Sequence, residues 1–395
     1  MHSRLFLALF LATTAQAQRG LGRGGTTVKD GEPCPAGMTE IRPRLCQAPE
    51  QTPPSIVDYR PKSTLKAPVH MVPKAKYPVI DFHGHPGGLL TSTKGLDSLK
   101  AAFDQLNIGA MLAADNLTGA RLATSVDSVS KSPLKDRVRM LAGISFQNVG
   151  PGWAEKAIAQ LEADVKAGAV GVGEISKSLG LSIKKPDGTR LHIDDPELDP
   201  IWDACARLHL PVFIHTADPQ EFFHQPDYTN ERWLELALFQ DRRWYRDGYP
   251  SFETLAAERD NLFRKHPKTT FVMAHLGWQA NELGTLDKLL TELPNVYTEV
   301  GAVLYDIGRQ PRGAHDFFVK FQDRILFGKD SFQPEEYPYY WRVFETNDDY
   351  FDYYRDYHAF WKLYGIGLPD DVLKKVYFKN ALKITPRMPQ DGWPK

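Results

Sequence analysis

Two histidines, His83 and His85, close a short apolar run, Val79-Ile80-Asp81-Phe82-His83-Gly84-His85. In a β-strand, residues i and i+2 point to the same face, so both imidazoles can reach one ion. Other polar residues stand where packing alone would favour Val or Leu: His215 in PVFIHTAD, His275 in TFVMAHLG and Asp330 in ILFGKDSF. Glu174 ends another such run, AVGVGEIS. Burying these groups without partners is costly. A bound cation removes that cost, and imidazole with carboxylate suits zinc and related transition metals. A lone histidine is usually a satisfied core or surface residue, and the chain's remaining histidines are read that way. Ligand-type residues recurring at equivalent strand ends point instead to a metal site.

The surrounding pattern says how such residues could converge. From Tyr77 onward, short β-branched runs alternate with longer amphipathic ones. Candidate strands cover 79–85, 108–115, 139–146, 169–176, 211–218, 270–277, 296–302 and 325–332. Helical patterns between them include Trp153–Gly168, Pro196–His209, Phe252–His266 and Leu283–Leu293. Near-continuous apolar strands separated by helices mean parallel strands covered on both faces. Eight strand–helix units predict an α/β fold, a (β/α)8 TIM barrel, whose active site lies at the C-terminal ends of the strands. No Gly-rich phosphate loop follows the first strand, which argues against an open dinucleotide-binding sheet. Two strand-to-helix connections, 220–251 and 333–368, are far longer than usual and rich in aromatics. They read as lids or subunit contacts.

The 395 residues are 42% hydrophobic and 25% charged, with a net charge of -1. That is ordinary for a soluble globular protein and offers no field to attract nucleic acid or an anionic membrane. The N-terminus has a basic start, the apolar run LFLALFLA and then Ala15-Gln16-Ala17. This is the form of a signal peptide over 1–17, too short to span a bilayer. A secreted or periplasmic product, without a membrane segment after cleavage, is expected. Residues 18–76 are Pro- and Gly-rich and read as a leader that wraps loosely over the barrel or stays mobile. Within it, Cys34 and Cys46 read as a disulfide in an oxidising compartment, two free thiols being the alternative. Cys205 reads as a core residue. The barrel domain covers 77–386, and 387–395 form a tail.

These motifs resemble the amidohydrolase superfamily, in the amidohydrolase-related branch that also contains metal-dependent decarboxylases. The resemblance rests on Asp81-Phe82-His83-Gly84-His85, Ile214-His215, Ala274-His275-Leu276-Gly277 and Phe327-Gly328-Lys329-Asp330. Phe378-Lys379-Asn380-Ala381 resembles the family's closing helix. The resemblance implies that His83, His85, His215 and Asp330 bind a metal, with His275 beside the substrate. Glu174 would bridge to a second metal, bind substrate or support a ligand from behind. The implied cofactor is a divalent transition metal, Zn2+ ahead of Mn2+, as one or two ions.

The implied reaction is hydrolysis, in which metal-activated water attacks an amide, lactone or ester carbonyl of a small molecule. Asp330 would accept the proton and pass it on, while His275 hydrogen-bonds the oxyanion or steers the water. Non-oxidative decarboxylation of a small carboxylic acid with the same ligands is the first alternative, and a non-catalytic binding barrel the second. The family's last motif usually has Ser or Thr before the Asp. This chain has Lys329, expected either to contact an acidic substrate or to point outward. Trp278 and the lid aromatics are expected to wall the substrate pocket. Asp115, Asn116, Gln147 and Asn148 are polar candidates by position alone. The expected partner is a small-molecule substrate, not nucleic acid, and the aromatic lids suit a homodimer.

Overall fold

The computed structural model describes residues 25–394. The signal-peptide reading of 1–17 therefore lies outside the described residues. The chain divides into two units at Ser63/Thr64. In the first, β1 (Thr26–Thr27), β2 (Thr39–Arg42) and β3 (Leu45–Gln47) form an antiparallel sheet with β3 at its centre. Cys34 is disulfide-bonded to Cys46, the one fully buried residue of β3. The expected Cys34–Cys46 disulfide is present, and the segment around it carries a small sheet that the sequence did not lead us to expect. Strands this short have little periodicity to detect, and the cross-link lowers the entropy cost of pairing them.

The second unit is the expected barrel. Its strands are β4 (Val79–His85), β5 (Ile108–Leu117), β6 (Val138–Ala142), β7 (Gly171–Ile175) and β8 (Val212–Ile214). They continue through β9 (Phe271–Met273), β10 (Val296–Glu299), β11 (Ile325–Leu326) and β12 (Asp330–Ser331). All neighbours pair in parallel. The last two are halves of one strand. β11 pairs with β10, and β12 pairs with β4, with Asp330 opposite Gly84. That split closes the barrel, and Phe82 N–H donates to Phe327 O between the halves at 3.0 Å.

The helices outside follow from their sequences. Thr93–Leu106 starts at Ser92, whose hydroxyl accepts from Gly95 N–H, and stops at Asn107 in the left-handed region. Leu96, Leu99, Phe103 and Leu106 recur at helical spacing and are buried against the barrel. Each such side chain contributes roughly 1.5–3 kcal/mol by leaving water. Trp153–Ala167 ends at Gly168, which has a φ of 123°. Asp195 caps the segment that leads into Asp199–Arg207.

The strand-eight connection folds into a helix, Tyr337–Glu345, and a hairpin of β13 (Phe351–Asp352) and β14 (Lys362–Leu363). Tyr337 Oη donates to Asp81 Oδ2 at 2.6 Å. Asp81 Oδ1 in turn accepts from His83 N–H and Lys329 N–H, both at 3.1 Å. One fully buried carboxylate thus ties the lid helix to the two strands that close the barrel. The strand-five connection is tied in by charge. Arg232 is buried, bonds Glu235 at 2.9 Å and lies 3.2 Å from Glu221. Its guanidinium also covers Tyr305 at 4.4 Å. Glu235 Oε2 meets His358 Nε2 of the strand-eight connection at 3.2 Å.

Two stability predictions follow from these contacts. Tyr337→Phe leaves Asp81 Oδ2 buried without its donor, so denaturant unfolding should show a loss of about 1–3 kcal/mol. Burial drives His358 down to about 4, outweighing Glu235, so its ring is neutral in the fold. Burial would raise Glu235, but His358 and Arg232 outweigh it and hold it at about 2. A group that binds protons less readily when folded makes unfolding easier as pH falls. Thermal midpoints should therefore drop from about pH 6.5 downward, first through His358 and below about pH 4.5 through Glu235. His358→Gln should flatten the upper part of that profile.

Candidate metal centre

The parallel strands bring their C-terminal ends to one mouth, where His83, His85, Glu174, His215, His275, Glu299 and Asp330 converge. His83 and His85, at the end of β4, face each other with Nε2 atoms 3.0 Å apart. Glu174 Oε2 lies 3.4 Å from the first and 3.2 Å from the second. Its other oxygen, Oε1, lies 2.6 Å from His215 Nδ1 and 4.0 Å from His275 Nε2. Asp330 Oδ1 approaches His83 and His85 Nε2 at 3.9 and 3.8 Å. Donor atoms of His83, His85 and Glu174 lie within 4.8 Å of one another, as do those of Glu174, His215 and His275. Glu174 belongs to both groups.

Hydrogen bonds behind the cluster fix which ring nitrogen faces inward. His83 Nδ1 meets Glu299 Oε1 at 3.1 Å. His85 Nδ1 lies 3.5 Å from Asp115 Oδ1. His275 Nδ1 donates to Gly301 O at 2.8 Å. Carboxylate and carbonyl oxygens only accept, so each Nδ1 carries the proton, and each neutral ring presents an Nε2 lone pair to the centre. Lone pairs aimed at one another and at carboxylate oxygens repel unless a cation lies among them. The donor set therefore fits one or two divalent cations.

Without a metal, protons supply the positive charge. Burial alone would lower His83, but Glu174 and Glu299 outweigh it and hold the ring well above its ordinary value. Burial likewise opposes Asp115 and Glu174 at His85, which rises to about 9. Glu174 is held well below the carboxylate range, because His83 and His215 outweigh its burial. His275 goes the other way: burial, with His215 and His83 adding to it, lowers the ring to about 4.

Two sequence expectations change here. A neutral His275 whose proton is committed to Gly301 offers its inward face as an acceptor. It can ligate a cation or accept from a water, which keeps the water-steering alternative, but in this form it does not donate to an oxyanion. Lys329 neither reaches a substrate nor points outward. Its ammonium is buried, bonding Glu336 and, at 2.8 Å, Ser331 O. Trp278 is also engaged: it stacks on His275 at 4.3 Å and donates to His215 Nε2 at 3.2 Å. Asn116 and Gln147 line a cavity of about 310 Å³ near the mouth, together with Ser145 and Ser176.

Sequence reasoning missed Glu299. It is fully buried, and besides His83 it accepts from His275 N–H at 2.7 Å and Gly301 N–H at 2.5 Å. The signal was present, since Glu299 interrupts the apolar strand VYTEVGA just as Glu174 interrupts its own. Gly328 is the residue that lets it in, because a Cβ there would collide with Glu299 Oε2 and His83 Cβ.

An eight-stranded α/β barrel with imidazoles and carboxylates gathered at its C-terminal mouth is an enzyme scaffold. The chain belongs to the amidohydrolase family, whose model matches residues 80–386. Similar solved structures include an uncharacterised TIM-barrel protein from Bordetella bronchiseptica. It is 16% identical, with 78% of this chain and 98% of that one covered and a TM-score of 0.47. A 2,6-dihydroxybenzoate decarboxylase from Rhizobium is 15% identical over the same shares, also with a TM-score of 0.47. A 4-oxalomesaconate hydratase from Rhodopseudomonas palustris is 14% identical, with 78% and 96% covered and a TM-score of 0.47. Among the described residues, no helix is long and apolar enough to cross a membrane.

Glu299→Gln should leave the fold intact but release His83 from its fixed tautomer. Chelator competition should then show metal affinity lower by about 10–100-fold.

Proposed function

We propose that the protein is a hydrolase that cleaves an amide, ester or lactone carbonyl of a small molecule, at a centre where His83, His85, Asp330, Glu174, His215 and His275 would hold two divalent cations. One observation carries this reading: the two Glu174 oxygens face different histidine pairs, Oε2 towards His83 and His85 and Oε1 towards His215 and His275. With Trp278 N–H on His215 Nε2, His215 Nδ1 donates to Glu174 Oε1, and a second cation held by that pair would displace this proton. Imidazole and carboxylate ligands of this kind suit Zn2+ or Mn2+. When bound, such ions supply an acidified water and a Lewis-acid contact to a carbonyl oxygen.

The chain's own groups do the rest. Burial would raise Asp330, but His83 and His275 outweigh it and hold its carboxyl below the usual range. It is thus an ionised base at neutral pH. With 32% of its side chain exposed, it is also the acidic group of the cluster most open to the mouth. It takes the proton from water and hands it to the leaving group. Glu299, Asp115 and Gly301 O keep the rings aimed inward throughout. Trp278, packed on His275 and His215, closes one wall.

Turnover of a panel of amides, esters and lactones in 18O-labelled water tests the reaction type. Hydrolysis places the label in the product acid. Release of carbon dioxide from a carboxylated compound, without label uptake, would contradict the proposal in favour of decarboxylation. Asp330→Asn should lower kcat by about 10²–10⁴-fold, with metal content measured on the same sample. Full turnover with metal retained would remove the proton-relay role.

A further inference from the structure

Half-buried guanidinium groups ordinarily find a carboxylate, because unanswered donors out of water are costly. Most half-buried arginines of the two long connections find an acceptor, Arg243 in the Leu236 carbonyl and others in carboxylates. Arg232 pairs with Glu235, Arg309 with Glu231 and Asp306, and Arg342 with Asp348. Arg355, on the strand-eight connection, does not. It is half-buried, and among the described residues its side chain makes no ion pair and no hydrogen bond. Its guanidinium lies over the ring of Tyr354, 5.5 Å away.

The two residues before it, Tyr353 and Tyr354, share the deficit. Tyr353 Oη and Tyr354 Oη are both buried and have no hydrogen-bond partner outside their own pair. Tyr353 is only 7% exposed. The two rings lie 4.4 Å apart, and Tyr354 packs against Tyr339 at 5.1 Å. The Arg355 charge is felt at both hydroxyls and at that of Tyr340. Tyr340 Oη accepts from Ala302 N–H at 3.0 Å, next to the Gly301 carbonyl that receives the His275 proton. The unanswered donors therefore stand at the same end of the barrel as the metal centre. Two other cations near the mouth are matched, Lys177 by Asp218 at 2.6 Å and Lys329 by Glu336.

We propose that Arg355, Tyr353 and Tyr354 form an anion subsite that takes a carboxylate of the substrate, away from the bond that is cleaved. A carboxylate accepts the guanidinium fork and a phenol donor at once, and the tyrosine rings offer an apolar wall to the atoms next to it. The substrate class becomes an amide, ester or lactone that also bears a free carboxylate. This deepens the hydrolase reading and rests on it for the reaction, but not for the binding.

The test titrates metal-loaded full-length protein calorimetrically with phenylacetate and with its neutral isostere phenylacetamide. Wild type should prefer the anion by about ten-fold or more, the worth of hydrogen bonds to a charged group. Arg355→Gln should abolish that preference. Arg355→Lys, which keeps the charge but loses the fork, should retain part of it. Tyr354→Phe, which keeps the ring, should weaken phenylacetate several-fold and leave phenylacetamide unchanged. Equal binding of the two probes by wild type would overturn the inference. So would a preference that survives both Arg355→Gln and Tyr354→Phe, because the anion would then sit on the metal centre. Metal content measured on each sample keeps the two proposals apart. Metal-free wild type that still prefers the anion through Arg355 supports the subsite independently of the metal centre, and carbon dioxide release without label uptake in the labelled-water assay would sink the hydrolase reading alone.

Discussion

Imidazole lone pairs and carboxylate oxygens aimed into one small space repel each other unless positive charge stands among them. That constraint governs the mouth of this barrel. Glu174 lies at its centre, with one oxygen towards each pair of histidines. Protons can supply the positive charge, and the rise of His85 to about 9 records how strongly the carboxylates demand it. Divalent cations meet the same demand with better geometry. Metal binding and proton release are then two sides of one equilibrium.

The rest of the fold serves to keep those lone pairs pointing inward. Glu299, Asp115 and the Gly301 carbonyl each occupy the outer nitrogen of a histidine. Glu299 fits only because Gly328 has no side chain. The strand ends carry unusual backbone, with His275, Leu276 and Trp278 at positive φ and Asp330 at 78°. Non-glycine residues pay for such conformations, and they persist where surrounding bonds hold them, as His275 is held through both its backbone and its ring. Asp81 extends the same logic outward. It bonds the closing strand, the first strand and the lid helix, so the geometry of His83 and the seating of the lid share one carboxylate.

Much of this was legible in the residues. The eight apolar runs and their alternation with helices marked the barrel, because burial on both faces leaves a continuous signal. The strand-end histidines stood out because they broke that signal. Glu299 broke it in the same way but was overlooked, since a carboxylate that orients a ligand carries no spacing motif of its own. Lys329 was misjudged because strand position tells which face a residue starts from, not which acid a long flexible side chain will reach. The Glu336 that captures it lies in a connection with no periodicity. The role of His275 turned on a single backbone carbonyl, which no sequence pattern reveals. The small sheet around Cys34 and Cys46 escaped for a different reason: strands this short show no alternation.

The central claim is that Glu174 joins two cation sites. The most direct measurement is the metal stoichiometry of purified, reconstituted protein, wild type beside Glu174→Gln, by elemental mass spectrometry. The account predicts two divalent ions per wild-type chain and fewer in the variant, which keeps the side chain's shape but loses its charge. One ion per chain in both proteins would contradict it, and would leave Glu174 as a neighbour of the centre rather than its bridge.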